Sequence, residues 1–309
     1  MSGSVQHGHA HDHAGSANRR RLLIAIAIVA VVLVIEVAGG LLSGSLALFA
    51  DAGHMLSDLT GLIVALVATI IAARPATDVQ TFGHRRAEVF AAGLNGAILL
   101  AVVVFVVIEA VHKLLAPEAV EVQAPIMLVV AAIGGVANVA AMLVLRGGAK
   151  DSINMRGAYL EVLGDLIGSV AVLVAGLVIL LTGFAPADAI ASLAIAALIL
   201  PRAFSLLRDV ARVLSQAAPR GTDVALIRTH VLETEGVVAV HDVHVWSISP
   251  GSNVFSAHVV VEPGVFDSGN ADRLLDELTG CLSDHFDVAH STFQLEPAEH
   301  ADHEDHQHR

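Results

Sequence analysis

The sequence predicts an α-helical membrane domain of six spanning helices, followed by a small α+β domain of ferredoxin-like type with the order αββαβ. Only 15% of the 309 residues are charged and the mean hydropathy is +0.72, whereas soluble domains carry about 25% charged residues. Six apolar runs are present, each near the ~20 residues that a spanning helix needs. From Arg208 onward the composition becomes acidic, because this part holds 17 acidic and 6 basic residues and thus −11 of the net charge of −13.

Two polar segments flank the folded part. Residues 1–18 cannot bury a core, so we predict a disordered arm, which binds metal loosely through regularly spaced histidines. These are His7, His9, His11 and His13. Residues 298–309 form a second tail rich in histidine and acid.

The membrane domain, residues 19–207, contains the six runs and defines an orientation. The runs are Leu22–Leu42, Ser45–Ala73, Ala87–Leu115, Ala124–Leu145, Gly157–Leu181 and Pro186–Leu206. Lys and Arg cluster before the first run, after the second run, after the fourth run and at the end of the sixth run. The three loops on the other side hold only Lys113. By the positive-inside rule both termini are cytoplasmic.

Two runs carry paired metal-ligand residues at helical spacing. His54 and Asp58 lie four residues apart in the second run, and Glu161 and Asp165 lie four apart in the fifth. That spacing puts each pair on one helix face, and ionisable residues at membrane depth indicate function. Two helices with two ligands each make a four-ligand site, the number that a tetrahedral transition metal takes. The alternative is that each pair is simply buried and hydrogen-bonded within the bundle.

Other polar residues lie in the same runs. Asp51 is expected either to orient the His54 imidazole or to face water near the outer interface. Glu36 and Asn138 are expected to form hydrogen bonds between helices. The fifth run also carries small residues that let helices approach closely, either for packing alone or to bring the second and fifth helices to a shared metal. These are Gly157, Gly164 and Gly168.

The C-terminal domain, residues 208–297, alternates helix and strand patterns. We predict a helix over Thr222–Glu235, strands over Val237–Ile248 and Val254–Val261, a helix over Asn270–Phe286 and a short strand over Ser291–Leu295. A domain of about 90 residues buries a modest core, and pairing with a second copy would help it.

The composition excludes several classes of protein. A domain this acidic does not suit nucleic acid. Cys281 is the only cysteine, so no intramolecular disulfide forms, and we expect a core thiol in a reducing compartment. No cleavable signal peptide is evident, because the run after Arg19–Arg21 is too long and lacks a cleavage-like ending.

Four successive stretches resemble signatures of the cation diffusion facilitator transporters, in the branch of cobalt–zinc–cadmium exporters and zinc transporters. They are GGLLSGSLALFADAGHMLSD, FGHRRAEVFAAGLN, RGAYLEVLGDLIGS and VHDVHVW, and the resemblance covers the chain except its two tails. It implies a homodimer of six-helix protomers in the lipid bilayer, each with a cytoplasmic domain. It also implies alternating access that exports Zn2+, with Co2+ and Cd2+ as further substrates, in exchange for protons. The implied transport site is His54, Asp58, Glu161 and Asp165.

One departure bears on the metal. In the nearest branch the position of Glu161 is typically histidine, so this chain offers one imidazole and three carboxylates. A harder ligand set shifts the preference toward Mn2+, Fe2+ or Co2+, although carboxylates also bind Zn2+. Zinc is the expected substrate, with those oxygen-preferring ions as the alternative.

The resemblance implies a second metal site in the cytoplasmic domain, near the dimer interface. Because a small domain benefits from a partner, we also expect zinc to act there as a regulatory ligand that tightens the dimer. Its members are His241, His258, His290 and Glu296. His244 is expected on the same strand face as His241 and Trp246 without such a role, and His84 is a candidate for a loop site. The alternative is that all these histidines are ordinary strand or surface residues.

Two other functional classes fit less well. An intramembrane hydrolase lacks support, because there is no HExxH motif and only Asp165 lies in a GD context, so we expect no enzyme activity. A membrane metal sensor without transport would not need ligands deep in two helices. The compact chain and short loops favour a bacterial plasma membrane.

Overall fold

A computed structural model describes residues 10–72, 74–116, 122–146, 153–267, 269–286 and 288–301. The chain divides into two compact units. The first comprises the residues up to Val64 together with Leu94–Ser205, and the second comprises Ala65–Gly93 together with the residues from Leu206 onward.

Six long helices in the described part hold the apolar runs. They are α1 (Ala10–Ser43), α2 (Leu46–Ala72), α3 (Ala87–Leu115), α4 (Ala124–Arg146), α5 (Ile153–Thr182) and α6 (Pro186–Leu214). Within the residues described, segments of α1, α3, α4, α5 and α6 are long and apolar enough to cross a membrane, and α2 is not among them. The expected helical membrane domain is therefore confirmed with five candidate spans.

Helix α1 begins earlier than the sequence suggests. Its first residue is Ala10, so residues 10–18 are helical where we expected disorder. No proline interrupts the chain between Ala10 and Ser43, and extending a formed helix is much easier than starting one. Residues 1–9, with His7 and His9, lie outside the described residues, as do 302–309 with His303, His306 and His308.

The first unit packs through small and apolar side chains. Helix α4 packs against α5 and α1. Gly39 of α1 allows this close approach, because a Cβ atom at that position would lie 2.5 Å from Val130 of α4. The buried core includes residues from five helices, among them Ala47, Leu99, Met127, Val172 and Ile195.

A buried carboxylate joins the start of α2 to the start of α6. Asp188 accepts hydrogen bonds from the Ser45 hydroxyl at 2.6 Å, from the Leu46 N–H at 2.8 Å and from the Ala47 N–H at 3.1 Å. Lys113, in the last turn of α3, forms a salt bridge with it at 3.2 Å. Asp188 therefore satisfies N–H groups at the start of α2 that have no partner within the helix.

The second unit contains the small domain with a three-stranded mixed sheet. Its elements are α7 (Val224–Leu232), β1 (Val237–Ser249), β2 (Ser252–Val261), α8 (Pro263–Asp267), α9 (Ala271–Phe286), β3 (Val288–Pro297) and α10 (Ala298–Ala301). Strands β1 and β2 are antiparallel, and β2 and β3 are parallel. The predicted αββαβ order is present with two further short helices, and β3 is longer than the predicted Ser291–Leu295. The core of this unit includes Ile227, Phe255, Val259 and Leu278.

A bulge in β1 changes which residues share a face. His241 lies opposite His258, whereas His244 lies opposite Ser256, so β1 has one extra residue between them. Asp242 accommodates the bulge with a φ of 48°. Because of it, His241 and His244 share a face although they are three residues apart, and this is the face opposite the one that carries Phe255.

The second unit also includes Ala65–Gly93, which the sequence places in the membrane domain. Arg85 donates a hydrogen bond to the Ser252 hydroxyl at 2.8 Å, and the rings of Phe82 and His290 lie 6.2 Å apart. These contacts tie the segment between α2 and α3 to the sheet. The predicted boundary at residues 207 and 208 lies close to the division at Ser205.

Candidate metal centre

Helices α2 and α5 bring three potential metal ligands together. The His54 Nε2 atom lies 3.7 Å from Asp58 Oδ2 and 3.7 Å from Asp165 Oδ1. One ligand atom from each of the three residues lies within 4.8 Å of the others. Bonds of about 2.0 Å in tetrahedral geometry separate ligand atoms by about 3.3 Å, so small side-chain movements suffice to close these three around one ion.

A cavity lies among α2, α5 and α6, and His54 lines it. Its volume is about 470 Å³, which exceeds what one ion needs. Both ligand helices and the apolar face of α6 line it. The lining residues include His54, Glu161, Gly164, Gly168, Ile195, Leu198, Ile199 and Arg202.

Arg202 of α6 reaches into the same group of residues. Its Nη2 atom lies 3.0 Å from Asp58 Oδ1 and 2.7 Å from Glu161 Oε1. In the sequence, Arg202 is one of the basic residues at the end of the sixth run, which there serve only to orient the membrane domain. Its place inside the sixth apolar run was the signal that identifies it, because an ionisable residue within a spanning segment indicates function by default.

Glu161 is the predicted ligand that stands apart from the other three. Its carboxylate faces Arg202 and does not belong to the group of His54, Asp58 and Asp165. It is connected to Asp58 through the shared guanidinium. Of the four predicted ligands, the structure therefore brings three together and ties the fourth to an internal cation.

The other polar residues of this unit differ from what the sequence suggests. Asp51 is buried and accepts a hydrogen bond from the Ser169 hydroxyl at 3.4 Å, so it does not face water. No hydrogen bond joins it to His54 among the residues described, and the expectation that it orients the imidazole is wrong. Asn138 donates to Ser169 at 3.4 Å, which confirms an interhelical hydrogen bond.

Gly168 explains how α2 and α5 come close to each other. A Cβ atom at this glycine would lie 2.3 Å from Asp51 Oδ1. Only a residue without a side chain leaves room for that carboxylate. The glycine-rich fifth run therefore helps α2 and α5 to meet at the ligand cluster. Gly164, in contrast, has no atom within 4 Å of its Cβ position.

A second cluster lies on the sheet of the C-terminal unit. His241 Nε2 contacts the buried Glu296 carboxylate, and His258 Nδ1 lies 3.8 Å from the same Oε1 atom. The His241 Nδ1 atom lies 3.2 Å from Asp242 Oδ2. His241, Asp242 and His258 each offer a ligand atom, and these atoms are close enough together to hold one metal ion. Asp242 was missed, because its contribution depends on the bulge in β1.

His290 does not join this cluster within the described chain. In the parallel register it lies opposite Val254, four residues before His258 on β2. An extended strand rises about 3.3 Å per residue, so the two histidines are too far apart to share an ion. The expectation that His290 completes the site with His258 is wrong within one chain. His244 is exposed on the same face.

His84 lies in a different environment. It lines a cavity of about 490 Å³ together with Phe82, Phe90 and Trp246. It belongs to no group of three potential ligands among the residues described. Cys281, predicted as a core thiol, is half-buried, and its sulfur lies 3.8 Å from His230 Nδ1.

Comparison with known protein families covers almost the whole chain. A model described as the cation efflux transmembrane domain matches residues 22–215. A second model, described as the cation efflux protein cytoplasmic domain, matches residues 219–298.

Several curated proteins are similar over nearly their full length. The metal cation efflux system protein CzcD of Cupriavidus metallidurans is 40% identical over 272 residues, which cover 87% of this chain and 84% of that protein. A cadmium, cobalt and zinc/H(+)-K(+) antiporter of Bacillus subtilis is 37% identical over 269 residues, 86% of this chain and 85% of that protein. The zinc transporter ZitB of Escherichia coli is 39% identical over 265 residues, 85% of this chain and 82% of that protein.

Proposed function

Because the chain belongs to the cation efflux family, the cation diffusion facilitators, we propose that it exports Zn2+ and related divalent cations in exchange for protons. The observation that carries this proposal is the meeting of His54, Asp58 and Asp165 beside a cavity within the membrane helices. A site built from residues of two separate helices is better explained by alternating access than by a fixed structural role for the metal.

The exchange follows from the chemistry of the ligands. A metal ion binds deprotonated imidazole and carboxylate groups, so metal binding releases protons and protonation releases metal. His54, Asp58, Glu161 and Asp165 would hold the ion on one side of the membrane. Protons taken up on the other side would replace it there. One relative is named a cadmium, cobalt and zinc/H(+)-K(+) antiporter, and this name supports the exchange.

Arg202 bears on which metal the site prefers. Its positive charge offsets the additional carboxylate at position 161, so the charge of the group approaches that of a site with two acids and two neutral histidines. This favours zinc as the principal substrate despite the harder ligand set. Relatives named for zinc, cadmium and cobalt support those ions rather than manganese or iron.

Several finer features belong to the same proposal. Helix α2 would be a sixth span, since it has 27 residues and about 20 suffice. The alternation of basic loops supports cytoplasmic termini, and the family suggests the bacterial plasma membrane. A homodimer is supported by the match to the second family model, whose name refers to a dimer. A ferredoxin-like domain is consistent with the strand order β1-β2-β3.

The C-terminal cluster would serve as a regulatory zinc site. His241, His258 and Glu296 lie on the sheet face opposite the one with Phe255. Zinc bound there would neutralise the buried Glu296 carboxylate and tighten the association of two such domains. Unchanged dimer affinity of the full-length protein with and without zinc would contradict this role.

The decisive test is metal flux in proteoliposomes with an imposed pH gradient. We expect Zn2+ movement that needs the gradient, that falls to background in Asp165→Asn and that persists in Asp78→Asn, a control in an exposed loop residue. Zinc flux at the wild-type rate in Asp165→Asn would overturn the assigned site. Absence of any flux in the wild type, with zinc bound, would favour a membrane metal sensor.

A further inference from the structure

Glu36 of α1 is an acid outside the ligand group, buried among the membrane helices. Its exposure is 0%, and neither carboxylate oxygen has a hydrogen-bond partner among the residues described. An ionised carboxylate in such surroundings costs several kcal/mol, so a buried acid without donors favours its protonated form. A purely structural residue at this place would be better served by glutamine or an apolar side chain.

Helix α4 leaves room for this carboxyl group at Gly134, and a group of polar side chains lies on the same side. A Cβ atom at Gly134 of α4 would lie 2.7 Å from Glu36 Oε1 and 3.4 Å from Ser169 Oγ. Ser169 in turn contacts both Asn138 and Asp51 at 3.4 Å. The Asn138 Oδ1 and Asp51 Oδ1 atoms are also buried without a hydrogen-bond partner in the described part of the chain. In this group the hydrogen-bond acceptors outnumber the donors, and a proton bound to a carboxylate supplies the missing donor.

The charged groups around Glu36 link it to the metal centre. Helix α2 contributes Asp51 and α5 contributes Asp165, and both are close enough for their charges to act on Glu36. Helix α4 carries no charged residue except Arg146, its last residue. Asp165 is one of the proposed metal ligands, so the charge state of the metal centre reaches Glu36 through space without a direct contact.

We propose that Glu36 binds a transported proton at a position separate from the metal ligands. This inference rests on the proposed exchange of metal for protons. A divalent cation on Asp165 would cancel a negative charge near Glu36, so the carboxyl O–H bond breaks and the proton passes to water on the side from which the metal bound. When the metal departs, the centre loses two positive charges, and a proton from the opposite side binds the Glu36 carboxylate. Metal and proton thereby exclude each other although they occupy different residues.

The test compares protons moved per zinc ion in proteoliposomes of the full-length protein, with a pH indicator and a zinc indicator inside. We expect Glu36→Gln to move one proton fewer per zinc ion and to bind zinc within about twofold of the wild type. Glu36→Asp should restore the wild-type ratio. Glu109→Gln, which removes an acid of α3, is the matched control and should keep that ratio.

Infrared difference spectroscopy gives a second readout that does not depend on transport. Addition of zinc to the wild type should remove the carbonyl bands of protonated carboxylic acids, and one component of this change should be missing in Glu36→Gln. An unchanged proton ratio in Glu36→Gln overturns the inference and leaves the metal–proton exchange intact. Zinc flux without any proton movement in the wild type overturns both. Flux that follows a K+ or Na+ gradient and is lost in Glu36→Gln would make the occupant an alkali cation and also overturn the proposal.

Discussion

Replacement of Arg202 tests whether this residue competes with the transported metal. Its guanidinium lies within hydrogen-bond distance of Asp58 and Glu161, two carboxylates of the proposed transport site. The positive charge of the guanidinium repels a divalent ion bound to the same carboxylates, so it should weaken metal binding. Arg202→Met removes the charge and keeps the apolar stem, and we expect it to bind zinc more tightly than the wild type.

The magnitude follows from the exposure of the group. Two unit charges about 3 Å apart attract by about 5 kcal/mol at an effective dielectric constant near 20. The Arg202 and Glu161 side chains are 42% and 39% exposed, and measured net values for exposed pairs are only about 0.2–1 kcal/mol. Asp58 is more buried, at 10%, so we take about 1–2 kcal/mol for both contacts together. This corresponds to a zinc Kd about 5- to 30-fold lower in the variant.

Isothermal titration of the purified full-length protein with zinc measures this change. Arg208→Met is the matched control, because it removes an exposed arginine from the same helix without affecting the cluster. Arg202→Lys should give an intermediate affinity, since an ammonium group lacks the planar fork of the guanidinium. An unchanged or weaker zinc affinity in Arg202→Met, with the control at the wild-type value, would refute the competition.

Three further substitutions test the surroundings of the two clusters. Asp188→Ala removes the acceptor for the first N–H groups of α2 and should destabilise the protein by about 1–3 kcal/mol; an unchanged thermal unfolding temperature in detergent would contradict this. Gly168→Ala places a Cβ 2.3 Å from Asp51 Oδ1 and should weaken zinc binding by separating α2 from α5. Gly164→Ala is the control, because its Cβ would enter open space, and it should leave zinc binding unchanged. Equal zinc Kd values for the two variants would show that the close approach is unimportant. Glu296→Gln should lower the zinc content by one ion per chain after dialysis without changing the affinity of the membrane site, and an unchanged zinc content would exclude Glu296 as a ligand.

Features that depend on hydropathy were accessible from the sequence. The predicted third run, Ala87–Leu115, coincides with α3, and the fourth run differs from α4 by one residue. Apolar runs of this length have one stable conformation in lipid, because every backbone N–H and C=O must be satisfied within the segment. The i,i+4 spacing of His54 and Asp58 likewise placed two ligands on one helix face without knowledge of any neighbour.

Features that depend on contacts between distant segments were not accessible. The bulge at Asp242 shifts the alternation of β1, and an alternating sequence does not show where a bulge will occur. Glu36 was expected to have an interhelical partner, but no pattern along the chain reveals which atoms α4 and α5 present to it. Arg202 was visible in the sixth run, yet only the packing of α6 shows that it reaches Asp58.

The charge balance of the membrane unit connects these observations. Five carboxylates belong to the metal centre or to the polar group around Glu36. Among the described residues, Arg202 carries the fixed positive charge there. The carboxylates are Glu36, Asp51, Asp58, Glu161 and Asp165. A surplus of ionised acids cannot be sustained away from water, so mobile cations must make up the difference. A divalent ion supplies two positive charges, and its departure leaves the same deficit for protons to fill. We therefore expect two protons for each zinc ion, with Glu36 holding one of them outside the ligand set.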